Sequence, residues 1–222
     1  MHPNLGHTRI SRVSSYPTPK RTLDKALSTV LLIVLSPLFA FLFFAMAIDA
    51  LVRAADRGPW LYRERRISRG QEFDLLKFRT LRREILEGID PEQSHARMHE
   101  ADESNLTWAG RKLLKPRYLD ELPQIWNVFR GDMSLVGPRP WPPPMVANQV
   151  AKGFTYRNEF VAGWTGPAQV EKGVTESSGY AVLDLAYVDA CRTASAWRIV
   201  RSDLALLRRT IAVMAKGEGL RF

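Results

Sequence analysis

The chain has 222 residues, 45% of them hydrophobic, enough for one medium domain with a real core or for one domain plus an attachment. Lys and Arg total 32 against 23 Asp and Glu, a formal charge of +9 that favours anionic partners: nucleic acid, anionic lipid head groups or phosphorylated substrates. The one cysteine, Cys191, excludes a disulfide framework within the chain and reads as a small core residue rather than a nucleophile.

Residues 1–19 read as a flexible, basic lead-in, 20–56 as a membrane segment and 57–222 as a cytoplasmic domain. Within the second, residues 26–48 run "ALSTVLLIVLSPLFAFLFFAMAI", uncharged and about as long as a bilayer-spanning helix requires. Ser36-Pro37 interrupts the run near its middle. Proline removes an i→i−4 hydrogen bond, and a neighbouring serine hydroxyl can satisfy the carbonyl it frees. Each apolar half then rises roughly 15–17 Å, at 1.5 Å per residue, and neither alone crosses a hydrocarbon core of about 30 Å. Both flanks are basic: Arg9, Arg12, Lys20, Arg21 and Lys25 before, Arg53, Arg57, Arg63, Arg65 and Arg66 after. Basic flanks stay on the cytoplasmic side, which favours a bent, re-entrant helix with both ends cytoplasmic over a straight span.

Gly58-Pro59 turns the chain. Trp60, Leu61 and Tyr62, the turn Arg69-Gly70 and the run Phe73 to Phe78 predict a β-hairpin. Residues 82–105 are charged and predict a solvated helical cover, broken at Asp90-Pro91. His95 and His99, four apart in this polar stretch, read as a solvated helix face, and with His2 and His7 they form no metal pattern. Leu122, Ile125, Trp126 and Phe129 follow helical spacing, with Asp120 as N-cap, Pro123 in the first turn and Gly131 at the end. Near the C-terminus Trp197, Val200, Leu204, Leu207, Ile211 and Met214 form a helical stripe flanked by Arg198, Arg201, Arg208 and Arg209. Packing against the domain and lying in a membrane interface both fit that pattern.

Two adjacent acids, Asp120 and Glu121, are by themselves an ordinary N-cap and first-turn pair. Their context allows more. A helix N-terminus can hold phosphate and keep a carboxylate ionised, so Asp120 is a candidate nucleophile, and Glu121, with Asp120, a candidate Mg²⁺ ligand. Arg139, fixed between Pro138 and Pro140, suits a pair of phosphate oxygens. Lys77 and Arg79, at alternate strand positions in "KFRT", are expected on one face. No Walker loop, GxGxxG after a strand, HExxH or GxSxG occurs, and nothing resembles a single-strand nucleic-acid face.

These residues resemble the bacterial sugar transferases, the monotopic phosphoglycosyl transferases, from about Lys20 to Gly219. The likeness is carried by "KRTLDKALSTVLLIVLSPLFAF", "KFRTL", "LDELPQIWNVFRGDMSLVGPRP", "GWTGPAQV" and "LDLAYVDACRTASAWRIVRSDLALLRRTI". The resemblance implies an α+β, mostly helical fold: a re-entrant membrane helix bent at Ser36-Pro37, then a compact cytoplasmic domain with a small β-hairpin and amphipathic interfacial helices. It implies an enzyme on the cytoplasmic face of the bacterial inner membrane, in the inner leaflet, without nucleic-acid partners. This enzyme moves a sugar-1-phosphate from a UDP-sugar to a polyprenyl phosphate, releases UMP and uses Mg²⁺. Asp120 would attack the β-phosphorus, Glu121 would help to hold the metal, and Lys77, Arg79, Lys115, Arg139 and Gln169 would contact substrate or phosphate. Three features depart from the family's pattern. Lys115 stands where an arginine is usual, with Arg117 as a compensating cation; Ala162-Gly163 replaces Pro-Gly; and "PWPPP" after Arg139 is unusually rigid. No large membrane domain precedes the anchor in this sequence, so a minimal, catalytic-core form is expected. A homo-oligomer is compatible with these features. The rival readings are a basic, membrane-seated scaffold without activity, and a Mg²⁺-dependent lipid-phosphate hydrolase.

Overall fold

The computed structural model describes residues 16–89, 96–170 and 177–215. The lead-in up to residue 15, His95 and the Asp90-Pro91 break lie outside them, as does the side chain of Met214. The chain is mostly helical, with a two-stranded antiparallel sheet and a short parallel pair.

Helices α1 (Thr18–Val34) and α2 (Ser36–Val52) meet at Leu35 with a bend of 55°. Pro37 causes it: without an N–H, it cannot bond the carbonyl of Ile33 four residues back. The Ser36 hydroxyl donates to that same carbonyl at 2.7 Å. No single helix among the described residues is long and apolar enough to cross a membrane, whereas this bent pair passes on length and composition together. Ile33, Val34, Phe41, Phe44, Leu51 and Val52 leave large apolar side chains exposed on it.

The pair is not a free-standing attachment, because its polar residues are buried in the domain. Lys20, Asp24 and Ser28 form the buried face of α1. Lys20 pairs with Asp203 and donates to the Val136 carbonyl at 2.8 Å. Asp24 accepts from the hydroxyls of Tyr16 (2.8 Å) and Ser134 (2.7 Å). At the far end of α2, Asp49 accepts from the Ala109 N–H at 2.9 Å, and Asp56 from that of Trp108 at 2.9 Å.

Strands β1 (Leu61–Ser68) and β2 (Gln71–Phe78) form the hairpin, joined through Arg69 and Gly70. Both turn residues have positive φ, 52° and 73°, the twist that a two-residue hairpin loop prefers. The register sets Tyr62 opposite Lys77, Glu64 opposite Leu75 and Arg66 opposite Phe73, so one face carries Glu64, Arg66 and Lys77. Short helices α3 (Arg83–Glu87) and α4 (Ala96–His99) follow. Next come α5 (Gln124–Arg130) and β3 (Ser134–Val136), then α6 (Pro143–Ala151) and α7 (Tyr156–Glu159). Strand β4 (Gly163–Thr165) and α8 (Pro167–Val170) lead to α9 (Ser177–Thr193) and α10 (Ala196–Ala215). Gly131, at φ 89°, ends α5 as expected.

One apolar core gathers Val128, Met133, Leu135, Tyr156, Val188, Ile199 and Leu206. A second joins Leu42 and Met46 of α2 to Phe78, Ala109 and Leu114, with Leu119 and Leu122 packed against it. The acid pair is thus flanked by two leucines seated on the bent helix. On α10, Ile199, Val200, Asp203 and Leu206 are buried while Trp197, Leu204 and Ile211 are exposed. Its stripe therefore splits between packing and an open apolar face edged by exposed Arg198, Arg201 and Arg208.

Candidate active site

The segment leading to the acids is a run of tight turns. Gly110–Leu114 forms a π-helical turn, Lys115–Arg117 and Leu119–Glu121 are 3₁₀ turns, and Tyr118 between them is left-handed at φ 55°. This corrects the expected helix start. Asp120 sits in a 3₁₀ turn, Pro123 is the N-cap of α5, and Asp120 caps nothing. Its charge is therefore set by burial and neighbouring side chains rather than by capping a helix. The reversal at Tyr118 folds Lys115 back, so that its ammonium lies 2.9 Å from Asp120 Oδ2 and 2.6 Å from Glu100 Oε2. The Thr80 hydroxyl holds the other Glu100 oxygen at 2.8 Å.

Asp120 is 3% exposed, and its Oδ1 accepts no hydrogen bond among the described residues. Burial pushes this carboxyl above the ordinary aspartate range; Lys115 pulls the other way, and Glu121 adds to the rise. Burial also works against the Lys115 ammonium, but Asp120 and Glu100 outweigh it and hold its pKa above the usual lysine value.

On the Glu121 side of the pair opens a shallow cleft lined by Arg66, Lys77, Glu121, Gln124, Arg139 and Trp164, among others. Lys77 pairs with Glu64 Oε2 at 3.1 Å, and Arg66 with Glu64 Oε1 at 2.6 Å. Arg139 Nη2 stands 3.9 Å from Glu121 Oε1. The loop carrying Arg139 rests directly on β4: Gly137 N–H donates to the Thr165 carbonyl at 2.9 Å, and Gly163 N–H to that of Pro138 at 2.8 Å. A Cβ on Gly163 would stand 2.0 Å from the Gly137 nitrogen, so only glycine permits this contact. Arg157 braces the loop from behind. It donates to the Arg139 carbonyl at 3.1 Å, stacks over Trp141 at 4.0 Å and pairs with buried Asp184 at 2.7 Å.

Of the residues singled out in the sequence, the fold brings Asp120, Glu121, Lys115, Lys77 and Arg139 together. Two stand elsewhere. Arg79, expected to share a face with Lys77, lies beyond the end of β2. It is 3% exposed and gives its guanidinium to the carbonyls of Pro59 (2.6 Å), Leu81 (2.8 Å) and Asp56 (2.5 Å). Gln169 lies behind Gly166 and does not line the cleft; its amide oxygen and nitrogen are buried without a hydrogen bond among the described residues. Three residues were not singled out for the site in the sequence: Glu64, Glu100 and Arg66, the last read there only as part of a basic flank. A two-residue turn at Arg69-Gly70 fixes the hairpin register, which already places Glu64 and Arg66 on the face of Lys77. Nothing local to Glu100 marks it, because its contacts are made across the fold.

Among the described residues no group of three or more His, Cys, Asp and Glu side chains has a metal-holding arrangement. Glu121, the carboxylate that lines the cleft, still fits Mg²⁺, which takes one or two carboxylates and completes its shell with water and substrate phosphate.

A family model described as "Bacterial sugar transferase" matches residues 15–217. The chain is 35% identical over 205 residues to a UDP-glucose:undecaprenyl-phosphate glucose-1-phosphate transferase of Caulobacter vibrioides, covering 88% of this chain and 72% of the relative. It is 31% identical over 204 residues to an undecaprenyl-phosphate glucose phosphotransferase of Komagataeibacter xylinus, covering 86% and 36%. It is 40% identical over 131 residues to the exopolysaccharide production protein ExoY of Rhizobium meliloti, covering 54% and 55%. The chain thus spans only about a third to a half of the length of the last two.

Proposed function

The chain belongs to the bacterial sugar transferase family, and from that premise we propose that it transfers a sugar-1-phosphate from a UDP-sugar to a polyprenyl phosphate at a membrane surface. The observation that carries this reading is Asp120: one oxygen is held by Lys115, the other is buried and unpartnered, and the adjacent Glu121 lines a cleft rich in cations.

In the first step Asp120 Oδ1 attacks the β-phosphorus of the donor. The bond from that phosphorus to the bridging oxygen breaks, and UMP leaves with the electron pair. The product is an acyl phosphate bearing the sugar. Next a phosphate oxygen of the acceptor lipid attacks the same phosphorus and expels the Asp120 carboxylate, leaving a polyprenyl diphosphosugar. Lys115 orients Asp120 and favours its ionised form. Arg139 and Lys77 hold phosphoryl oxygens as charge builds on them. Glu121 would hold a Mg²⁺ ion, which when bound neutralises diphosphate charge. The names of the relatives, undecaprenyl-phosphate glucose and galactose phosphotransferases among them, support the classes of donor and acceptor.

The membrane seat belongs to the same proposal. The bent α1–α2 pair dips into the inner leaflet with both ends on the cytoplasmic face, and the exposed stripe of α10 lies along the interface. Exposed apolar side chains on both elements support this.

The test is UMP release from a panel of UDP-sugars with polyprenyl phosphate and Mg²⁺. Asp120→Asn is expected to abolish turnover, and intact-mass analysis with donor alone is expected to show a phosphosugar adduct on the wild-type chain. Retained turnover in the variant, or no adduct in the wild type, rejects the covalent route. A scaffold would tolerate Glu121→Gln and Arg139→Ala; a transferase loses activity in both.

A further inference from the structure

The geometry points to Arg66 as a ligand for a phosphoryl group in the cleft, a role that neither the family resemblance nor the acid pair assigns to it. The inference rests on the proposed transfer reaction for the origin of that group, and on the structure alone for its existence.

Arg66 lies in β1, and its side chain is 12% exposed. It uses one corner of its fork on Glu64: Nη2 meets Oε1 at 2.6 Å. The other two donor nitrogens, Nε and Nη1, are buried with no acceptor among the described residues. A buried guanidinium N–H without a partner is unfavourable, and such groups usually meet an acceptor in water or a ligand. Water reaches this side chain poorly, yet it lines the same cleft as Lys77, Glu121 and Arg139.

Its neighbours narrow the ligand's chemistry. Arg139 is near enough to disfavour the Arg66 charge, and burial disfavours it more; Glu64 opposes both. Glu64 is shared, since Lys77 also pairs with it at 3.1 Å. Three cations therefore converge on a cleft whose lining acid is Glu121, while Glu64, outside the lining, serves two of the cations. A phosphoryl group relieves this arrangement: its oxygens accept from the unpartnered Nη1 or Nε, which face different sides of the guanidinium, and bring negative charge to all three cations. Two sources carry that chemistry, the diphosphate of the donor and the monophosphate of the acceptor lipid.

The experiment uses the full chain in detergent or nanodiscs, with Arg66→Met and Arg66→Lys. Lys77 keeps Glu64 paired in both variants, so the hairpin retains a counter-ion, and an unchanged melting temperature checks the fold. Calorimetric titration with inorganic pyrophosphate needs no turnover. Arg66→Met is expected to weaken binding roughly ten- to a hundredfold, and Arg66→Lys to recover part of that loss, since it keeps the charge without the fork. Kinetics then separate the sources. A raised KM for the UDP-sugar in the donor half-reaction assigns the donor diphosphate. An unaltered donor half-reaction with a raised KM for polyprenyl phosphate assigns the acceptor. If Arg66→Met binds pyrophosphate, donor and acceptor as the wild type does, the inference is wrong. If pyrophosphate binding depends on Arg66 but no UDP-sugar yields UMP, the anion site stands and the proposed reaction falls.

Discussion

Lys115 bridges two carboxylates, Asp120 at 2.9 Å and Glu100 at 2.6 Å, with a single ammonium group. A compact head with three rotatable donors suits that task, so lysine fits here although the family's pattern favours an arginine. The consequence is measurable. A nucleophilic aspartate works ionised, so activity is present above its pKa and lost as pH falls through it. Burial has already moved that pKa above the ordinary aspartate value, and Lys115 is the main cation holding it down. Lys115→Ala should therefore shift the acid limb of the UMP-release profile to higher pH, while Lys115→Arg should leave it nearer the wild type; coincident limbs in all three would contradict this. Arg79 makes the opposite kind of prediction. Arg79→Met strands the buried carbonyls of Leu81 and Asp56 and the partly buried one of Pro59, and should cost about 2–4 kcal/mol in denaturant unfolding, with donor KM almost unchanged in the folded fraction. Lys77→Met should do the reverse. Both residues come from one "KFRT" motif, and the sequence could not separate them: their alternation is legible, but the end of β2 between them is not.

At the scale of elements, the hairpin was readable from Arg69-Gly70 and the α5 terminus from Gly131, because left-handed backbone is written in residue type. The segment from 110 to 121 was not. A π-helical turn, two 3₁₀ turns and a left-handed tyrosine have no periodic signal, and Asp120 before Leu122 looks like a cap until the turns are seen. The Gly137–Gly163 contact belongs to the same scale. Gly163→Ala drives a Cβ to 2.0 Å from a backbone nitrogen, so the Arg139 loop must move. We expect a stability loss of about 1–3 kcal/mol and a larger proportional loss of turnover, checked by thermal unfolding alongside UMP release. A fully active, equally stable variant would show that the loop is not held by this contact.

Across the whole molecule, the bent pair is both apolar insert and structural strut. Apolar side chains such as Ile33, Phe41 and Phe44 are exposed, while Leu42 and Met46 pack in a core and Lys20, Asp24 and Asp49 hold the domain through buried polar contacts. Leu119 and Leu122, on either side of the acids, pack on the α2 cluster, which ties the site's position to the pair's angle. The proposed topology predicts that cysteines introduced at Thr18 and Arg63 react with an impermeant thiol reagent from the same face of sealed vesicles; Cys191 is buried and gives a quiet background. Reaction from opposite faces would mean a straight crossing. Pro37→Ala restores the missing backbone bond and is expected to move some molecules toward that straight form.

The sequence by itself determined the bend, the hairpin, the acid pair and the family, since each is encoded by residue type within a short stretch. Only the tertiary structure decided which cations meet the acids. Lys115 reaches Asp120 through a reversal at Tyr118, Arg139 comes to Glu121 on a loop that rests on β4, and Arg79 is drawn away to backbone carbonyls. Those assignments depend on where distant segments pack and on which buried groups must find partners there, and no local pattern carries that information.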